Sequence, residues 1–247
     1  MSRTVLVTGG GRGLGRAISV AFAAAGERVV VMGRTAAACD EVVAAIADAG
    51  GTALAAPGDV SVAADRARVV DAAVAAFGGI DVLVNNAGIL KPRRTAKLTE
   101  EELDEVLAVN LKGPLFLSQL VLPHFERAGG GVIVNISALG AFQPMSPLGA
   151  YCAVKAAMVN WTTTMAHEWA PLGVRVNGLV PGPIATDMIL PVDRAQRDAF
   201  VAEMGANTLL GRLAEPEELV GGVLFLAGPE SAWMTGRSLF FDGGMLK

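Results

Sequence analysis

Short runs of aliphatic residues recur along this chain, each followed by a longer, alanine-rich stretch with helical spacing. That alternation is satisfied by β-α-β units wound around a parallel sheet, and by little else. Runs near 4–8, 29–33, 52–56, 80–84, 131–137, 174–180 and 237–241 read as strands; 13–25, 36–49, 63–77, 99–125, 149–170 and 215–227 read as helices. Parallel strands covered on both faces need near-continuous apolar runs, and Val29-Val30-Val31-Met32 and Ile80-Asp81-Val82-Leu83-Val84 behave that way. With no repeat or low-complexity linker to divide it, 1–247 is expected to be a single domain. One stretch breaks the rhythm: 181–212, opening on Pro181-Gly182-Pro183, is too long for an ordinary connection and reads as a binding loop.

Directly after the first strand comes Thr8-Gly9-Gly10-Gly11-Arg12-Gly13-Leu14-Gly15, leading into a helix. Glycines at 9, 13 and 15 permit a tight turn and a close backbone approach, and the helix start offers free N–H groups and a positive dipole end. That is a site for a pyrophosphate. The second strand ends Met32-Gly33-Arg34-Thr35, with no carboxylate before Asp40 to hold a ribose 2′-hydroxyl. Glycine leaves room there for a 2′-phosphate, which Arg34 can pair bidentately with Arg12 as a second cation. The bland alternative is two solvated arginines. The preferred reading is NADP(H) over NAD(H).

Tyr151 is the only tyrosine, and Lys155 follows four positions later, on the same helix face. An ammonium beside a phenol favours the phenolate, lowering a pKa that is about 10 when unperturbed. Such a pair can move a proton near neutral pH.

With these motifs, together with Asp59-Val60, Asn85-Asn86-Ala87-Gly88, Asn110, Asn177, Pro181-Gly182 and Asp242-Gly243-Gly244, the chain resembles the short-chain dehydrogenase/reductase family over essentially its whole length. The resemblance implies a Rossmann-type doubly wound α/β fold with seven parallel strands in the order 3-2-1-4-5-6-7. It also implies an NADP-dependent interconversion of ketone and secondary alcohol with Tyr151 as general acid/base. Lys155 would bind the nicotinamide ribose, and Asn110, where the family kinks its helix, would position a water leading from Lys155 to solvent. Asp59 and Val60 would face adenine, and Asn86, Ala87 and Gly88 would line the ribose. Pro181, Gly182 and the backbone through Ile184, with Thr186, would hold the carboxamide. Asp242-Gly243-Gly244 looks like a subunit-contact segment of a homotetramer, or of a homodimer.

The family adds a serine, most often thirteen residues before the tyrosine, and here that position is Ala138. Ser137 stands one place early, where strand alternation turns it away from the substrate. Three readings stay open. Ser137 reaches the site through a bulge; water or Ser146 substitutes, at a cost of about 10²–10³ in rate; or the alanine was engineered. Ala138 also keeps a non-catalytic NADPH-binding protein in play, and an isomerase or lyase could use the same tyrosine.

By analogy Ile89, Leu90, Leu139, Gln143, Met145, Met188 and Ile189 border the substrate, an apolar lining suited to a hydrophobic ketone. A 3-oxoacyl-(acyl carrier protein) reductase is the alternative, with Arg93, Arg94 and Arg127 as the cations available to an acidic carrier. A net charge of −4 without a basic stripe excludes nucleic acid, and Cys39 and Cys152 match no metal or disulfide spacing. No run of about 18 uncharged apolar residues suggests a membrane span, and the start lacks a signal pattern, so the cytoplasm is expected. His124 and His167 read as helix-surface residues, and Trp161 and Trp169 as a face buried against another subunit.

Overall fold

The first strand, β1 (Thr4–Thr8), is buried at every position, and its side chains alternate between two hydrophobic cores. In this computed structural model, which describes residues 2–191 and 193–245, Val5 and Val7 point into one core and Leu6 into the other. The same sorting repeats in β2 (Arg28–Gly33), where Val29 and Val31 part from Val30 and Met32, and in β4 (Val82–Asn85), where Leu83 parts from Val82 and Val84. A period of two, apolar on both faces, therefore fixes a sheet covered by helices on each side.

With β3 (Thr52–Pro57), β5 (Gly131–Ile136), β6 (Val174–Pro181) and β7 (Ser238–Phe241), these strands form a seven-stranded parallel sheet in the order β3-β2-β1-β4-β5-β6-β7. One core takes side chains from α1 (Gly13–Ala24), α2 (Ala36–Asp48) and α8 (Pro216–Ala227). The other takes them from α3 (Ala63–Phe77), α5 (Gly113–Ala128) and α6 (Gly149–Trp169), while α4 (Glu100–Leu107) precedes α5.

Three expectations change. The helix read over 99–125 is α4 and α5 joined by a π-helical turn at Ala108–Lys112, and it runs on to Ala128. This 29-residue run is long and apolar enough to cross a membrane by length and composition alone, yet Leu117, Val121 and Phe125 are buried in the core that holds Leu83 and Ile133, and Val106 is buried as well. Secondly, the long segment after β6 contains a helix, α7 (Arg194–Ala206), which the sequence pattern left as loop. Trp169 is also not available to another subunit: it is buried in the chain's own core, with Trp161 packed against it at the margin.

Candidate active site

Strand order reverses between β1 and β4, and the loops leaving their C-terminal ends part to leave a crevice. Hydrogen bonds hold those two loops in register. The Thr8 hydroxyl accepts from the N–H groups of Asn86 (2.9 Å) and Ala87 (3.0 Å), while Asn86 Nδ2 donates to the Thr8 carbonyl at 2.9 Å. The glycines are sterically required here. Gly9 has φ +65°, and a Cβ on Gly15 would lie 2.1 Å from the Gly9 oxygen.

The crevice is one cleft of about 660 Å³. Of the residues expected at the site, Gly9, Arg12, Gly13, Leu14, Gly15, Arg34, Thr35, Asp59, Val60, Asn86, Ala87, Gly88, Ser137, Tyr151, Lys155, Pro181, Gly182, Ile184 and Thr186 all border it. Asn110 alone stands behind the wall. Fully buried, it donates through Nδ2 to the carbonyls of Ile89 and Val106 and accepts from Ile89 N–H, each at 3.1 Å. Those bonds stitch the π turn to the segment after Gly88.

At the centre, Lys155 Nζ donates to the Ile136 carbonyl at 2.7 Å and lies 5.7 Å from the centre of the Tyr151 ring. Burial lowers the Lys155 amine to about 8. Burial, followed by the neighbouring Cys152, raises the Tyr151 phenol instead of lowering it. The expected lowering of the phenol by Lys155 is thus reversed here, because desolvation of the half-buried ring dominates and the buried amine is turned to a backbone oxygen.

Ser137 is buried, and its hydroxyl donates to the Lys155 carbonyl at 3.4 Å, beneath α6. Extended backbone continues through Ala138 (φ −163°, ψ 160°), with no bulge to bring Ser137 round. Ala138 itself faces the cleft, as does the exposed Ser146.

At the adenosine end, Arg12, Arg34 and Thr35 are exposed beside the start of α2, whose N-cap Thr35 makes no side-chain capping bond. The first-turn N–H groups of α2 remain free for an anion. Substrate-side lining is apolar: Ile89, Leu90, Leu139, Met145, Met188 and Ile189 as expected, but not Gln143. Phe200 and Met204 from α7 and Met245 near the C-terminus complete it. Sequence reasoning missed Phe200 and Met204 because α7 was unrecognised, and Met245 because nothing local ties the chain's end to the cleft. At the mouth, Lys91 pairs with Glu105 and Arg93 with Glu102. Arg127, bonded to His124, lies at the end of α5 that leads into β5, across the sheet from the cleft. Among the described residues, no group of three or more His, Cys, Asp or Glu side chains could hold a metal.

The arrangement suits a dinucleotide lying across the switch point, its pyrophosphate over the glycine turn and one end against Tyr151 and Lys155. A side chain at Gly15 would fill that cradle, so the backbone is shaped for such a group.

Comparisons agree with this geometry. Residues 3–197 match the family described as short chain dehydrogenase. The short-chain reductase protein NovJ of Streptomyces niveus is 40% identical over 242 residues, covering 97% of this chain and 92% of its own. A 3-oxoacyl-[acyl-carrier-protein] reductase, FabG, of Vibrio cholerae is 35% identical over 244 residues, covering 98% and 97%. Among solved structures, a provisionally designated NAD(P)-dependent gluconate 5-dehydrogenase from Beutenbergia cavernae, with NADP bound at low occupancy, superposes with a TM-score of 0.91 at 39% identity, covering 98% and 96%.

Proposed function

Because the chain belongs to the short-chain dehydrogenase family and is an oxidoreductase, we propose that it interconverts a ketone and a secondary alcohol on an apolar small molecule, using NADP(H) in preference to NAD(H). One observation carries the proposal: the glycine turn, the paired arginines and the Tyr151–Lys155 pair open into the same cleft.

A bound nicotinamide would supply or accept the hydride. Gly9, Gly13, Leu14 and Gly15 hold the pyrophosphate against the α1 N-terminus, and Arg12, Arg34 and Thr35 hold the 2′-phosphate. Asp59 and Val60 face the adenine; Asn86, Ala87 and Gly88 line its ribose; Pro181, Gly182, Ile184 and Thr186 fix the carboxamide end. The Tyr151 hydroxyl gives its proton to the carbonyl oxygen in reduction and takes it back in oxidation. A raised phenol pKa keeps the donor protonated until a cation arrives beside it. Lys155 orients the ribose, and Asn110 keeps the π turn in place behind it. Ser137, bonded to the Lys155 carbonyl, supports the α6 backbone and does not polarise the substrate. Tyr151 therefore acts without a serine at Ala138.

Of the two substrate readings, the free small molecule is favoured over a carrier-bound acyl group. Lys91 and Arg93 at the mouth are already paired with acids and Arg127 is remote, which leaves only the exposed Arg94 of the three arginines considered for an acidic carrier. Working in the cytoplasm as a homotetramer or homodimer accords with the exposure of Trp233, Leu209, Leu210, Phe225 and Phe240, and of Phe116 and Leu120 on α5.

The test is NADPH consumption, followed by absorbance, against a panel of apolar ketones and 3-oxoacyl thioesters, with Tyr151→Phe alongside. Turnover abolished in the variant is expected; turnover retained by Tyr151→Phe sinks the mechanism. Light scattering on the purified protein tests the assembly.

A further inference from the structure

Three side chains near the start of α3 reach back onto the Pro57–Val60 turn that borders the adenosine end of the cleft. Asp65 accepts from Asp59 N–H at 2.8 Å, Arg66 donates to the Val60 carbonyl at 2.7 Å, and Arg68 donates to the Pro57 carbonyl at 2.8 Å. Asp65 and Arg68 are surface groups, with side chains 29% and 55% exposed. Arg66 is different, at 7%.

Its guanidinium lies 5.6 Å from the centre of the Phe116 ring on α5, and its Nε has no hydrogen-bond acceptor. Burying a guanidinium with one donor unmet is unfavourable, and an apolar side chain of that length would fill the space at less cost. The gain is local. Val60 is pressed against Gly113 at the head of α5, where a Cβ would come within 2.9 Å of both the Val60 side chain and its carbonyl oxygen. Arg66 donates to that same carbonyl, so two contacts, one steric and one polar, constrain the peptide after Val60.

We infer that Arg66 is a positioning residue for the adenosine half of the dinucleotide, acting through Val60 without touching the cofactor. The inference rests on the cofactor reading above, and its test separates the two. Titration calorimetry on the full-length protein would use NADPH, NADH, the two adenosine halves (adenosine 2′,5′-bisphosphate and 5′-AMP) and reduced nicotinamide mononucleotide. Wild type binding neither dinucleotide overturns the cofactor reading itself. With wild type binding, Arg66→Met is expected to weaken the preferred dinucleotide and its adenosine half alike, by about tenfold, the scale of one lost charge-assisted hydrogen bond. Reduced nicotinamide mononucleotide keeps its affinity, and kcat at saturating cofactor stays within about twofold while the cofactor KM rises. Arg66→Lys, which keeps a charged donor of shorter reach, recovers part of the loss. Unchanged affinity for the adenosine half, or an equal loss for both halves, overturns the inference. Should Arg66→Met not fold, Arg66→Lys decides alone: about threefold weaker binding of the adenosine half only is expected, and wild-type affinity refutes it.

Discussion

The methyl group of Thr186 lies 3.3 Å from where a Cβ on Gly13 would stand, so the substrate-side segment rests directly on the phosphate turn. Gly13 also has φ +50°, a conformation that costs an L-residue about 1 kcal/mol or more. Gly13→Ala is therefore expected to weaken dinucleotide binding roughly tenfold. Thr186→Ser in the same background removes the crowding methyl and recovers part of that loss, leaving the backbone strain. A double-mutant cycle on cofactor Kd reads the coupling; strict additivity would show that the contact plays no part.

Stability should rise with pH through the range where Lys155 differs between states. Its amine sits at about 8 in the folded protein against 10.5 unfolded, so between those values the unfolded chain binds more protons. The native state then gains up to about 3 kcal/mol, at about 1.4 kcal/mol per unit. Tyr151, raised by burial, works in the opposite sense only above its unfolded value of 10.0. Urea midpoints between pH 8 and 10 should climb for wild type and flatten in Lys155→Met; parallel curves would refute this.

Ala138 faces the cleft on extended backbone, where a hydroxyl would need no local rearrangement. Ala138→Ser is expected to raise kcat by about tenfold or more, with a smaller change in substrate KM, because a second donor acts mainly on charge that develops in the transition state. Steady-state kinetics on the best substrate of the panel measures it. A lower kcat in the variant would mean that the alanine makes room for the substrate.

Arg34→Ala should raise the KM for NADPH by about tenfold to a hundredfold and leave that for NADH nearly unchanged, since only the 2′-phosphate uses the guanidinium. The wild-type preference should also weaken with added salt. Equal losses on both cofactors would remove Arg34 from the discriminating role.

The succession of strands and helices, the glycine turn and the Tyr151–Lys155 pair were legible because they depend on local patterns, whereas the strand order and most other cleft residues came with the family resemblance. A two-residue apolar period names a doubly covered strand, and a glycine turn between strand and helix has few other uses. What escaped depends on contacts distant in sequence. Apolar spacing continues unbroken through 108–112; the family resemblance places a kink at Asn110, but its form as a π turn, tied to Ile89 by the Asn110 amide, is a matter of backbone pairing that the spacing does not show. The segment before 212 mixes polar residues and glycine, so α7 emerges only with its Phe200 and Met204 turned into the cleft. Trp169 read as a surface aromatic because helix periodicity does not say which of two faces meets the chain's own core. For Tyr151 the spacing to Lys155 was right, but the sign of the pKa shift needed the amine's actual partner, the Ile136 carbonyl.

Because the chain has a single phenol and that phenol stands in the cleft beside Lys155, the protein carries its own optical reporter at the proposed proton donor. Any near-ultraviolet phenolate band it develops belongs to Tyr151, with no background from other tyrosines to subtract. Spectral titration with and without cofactor can therefore follow the ionisation of that one group in the unmodified enzyme, and tyrosine nitration has one tyrosine to label.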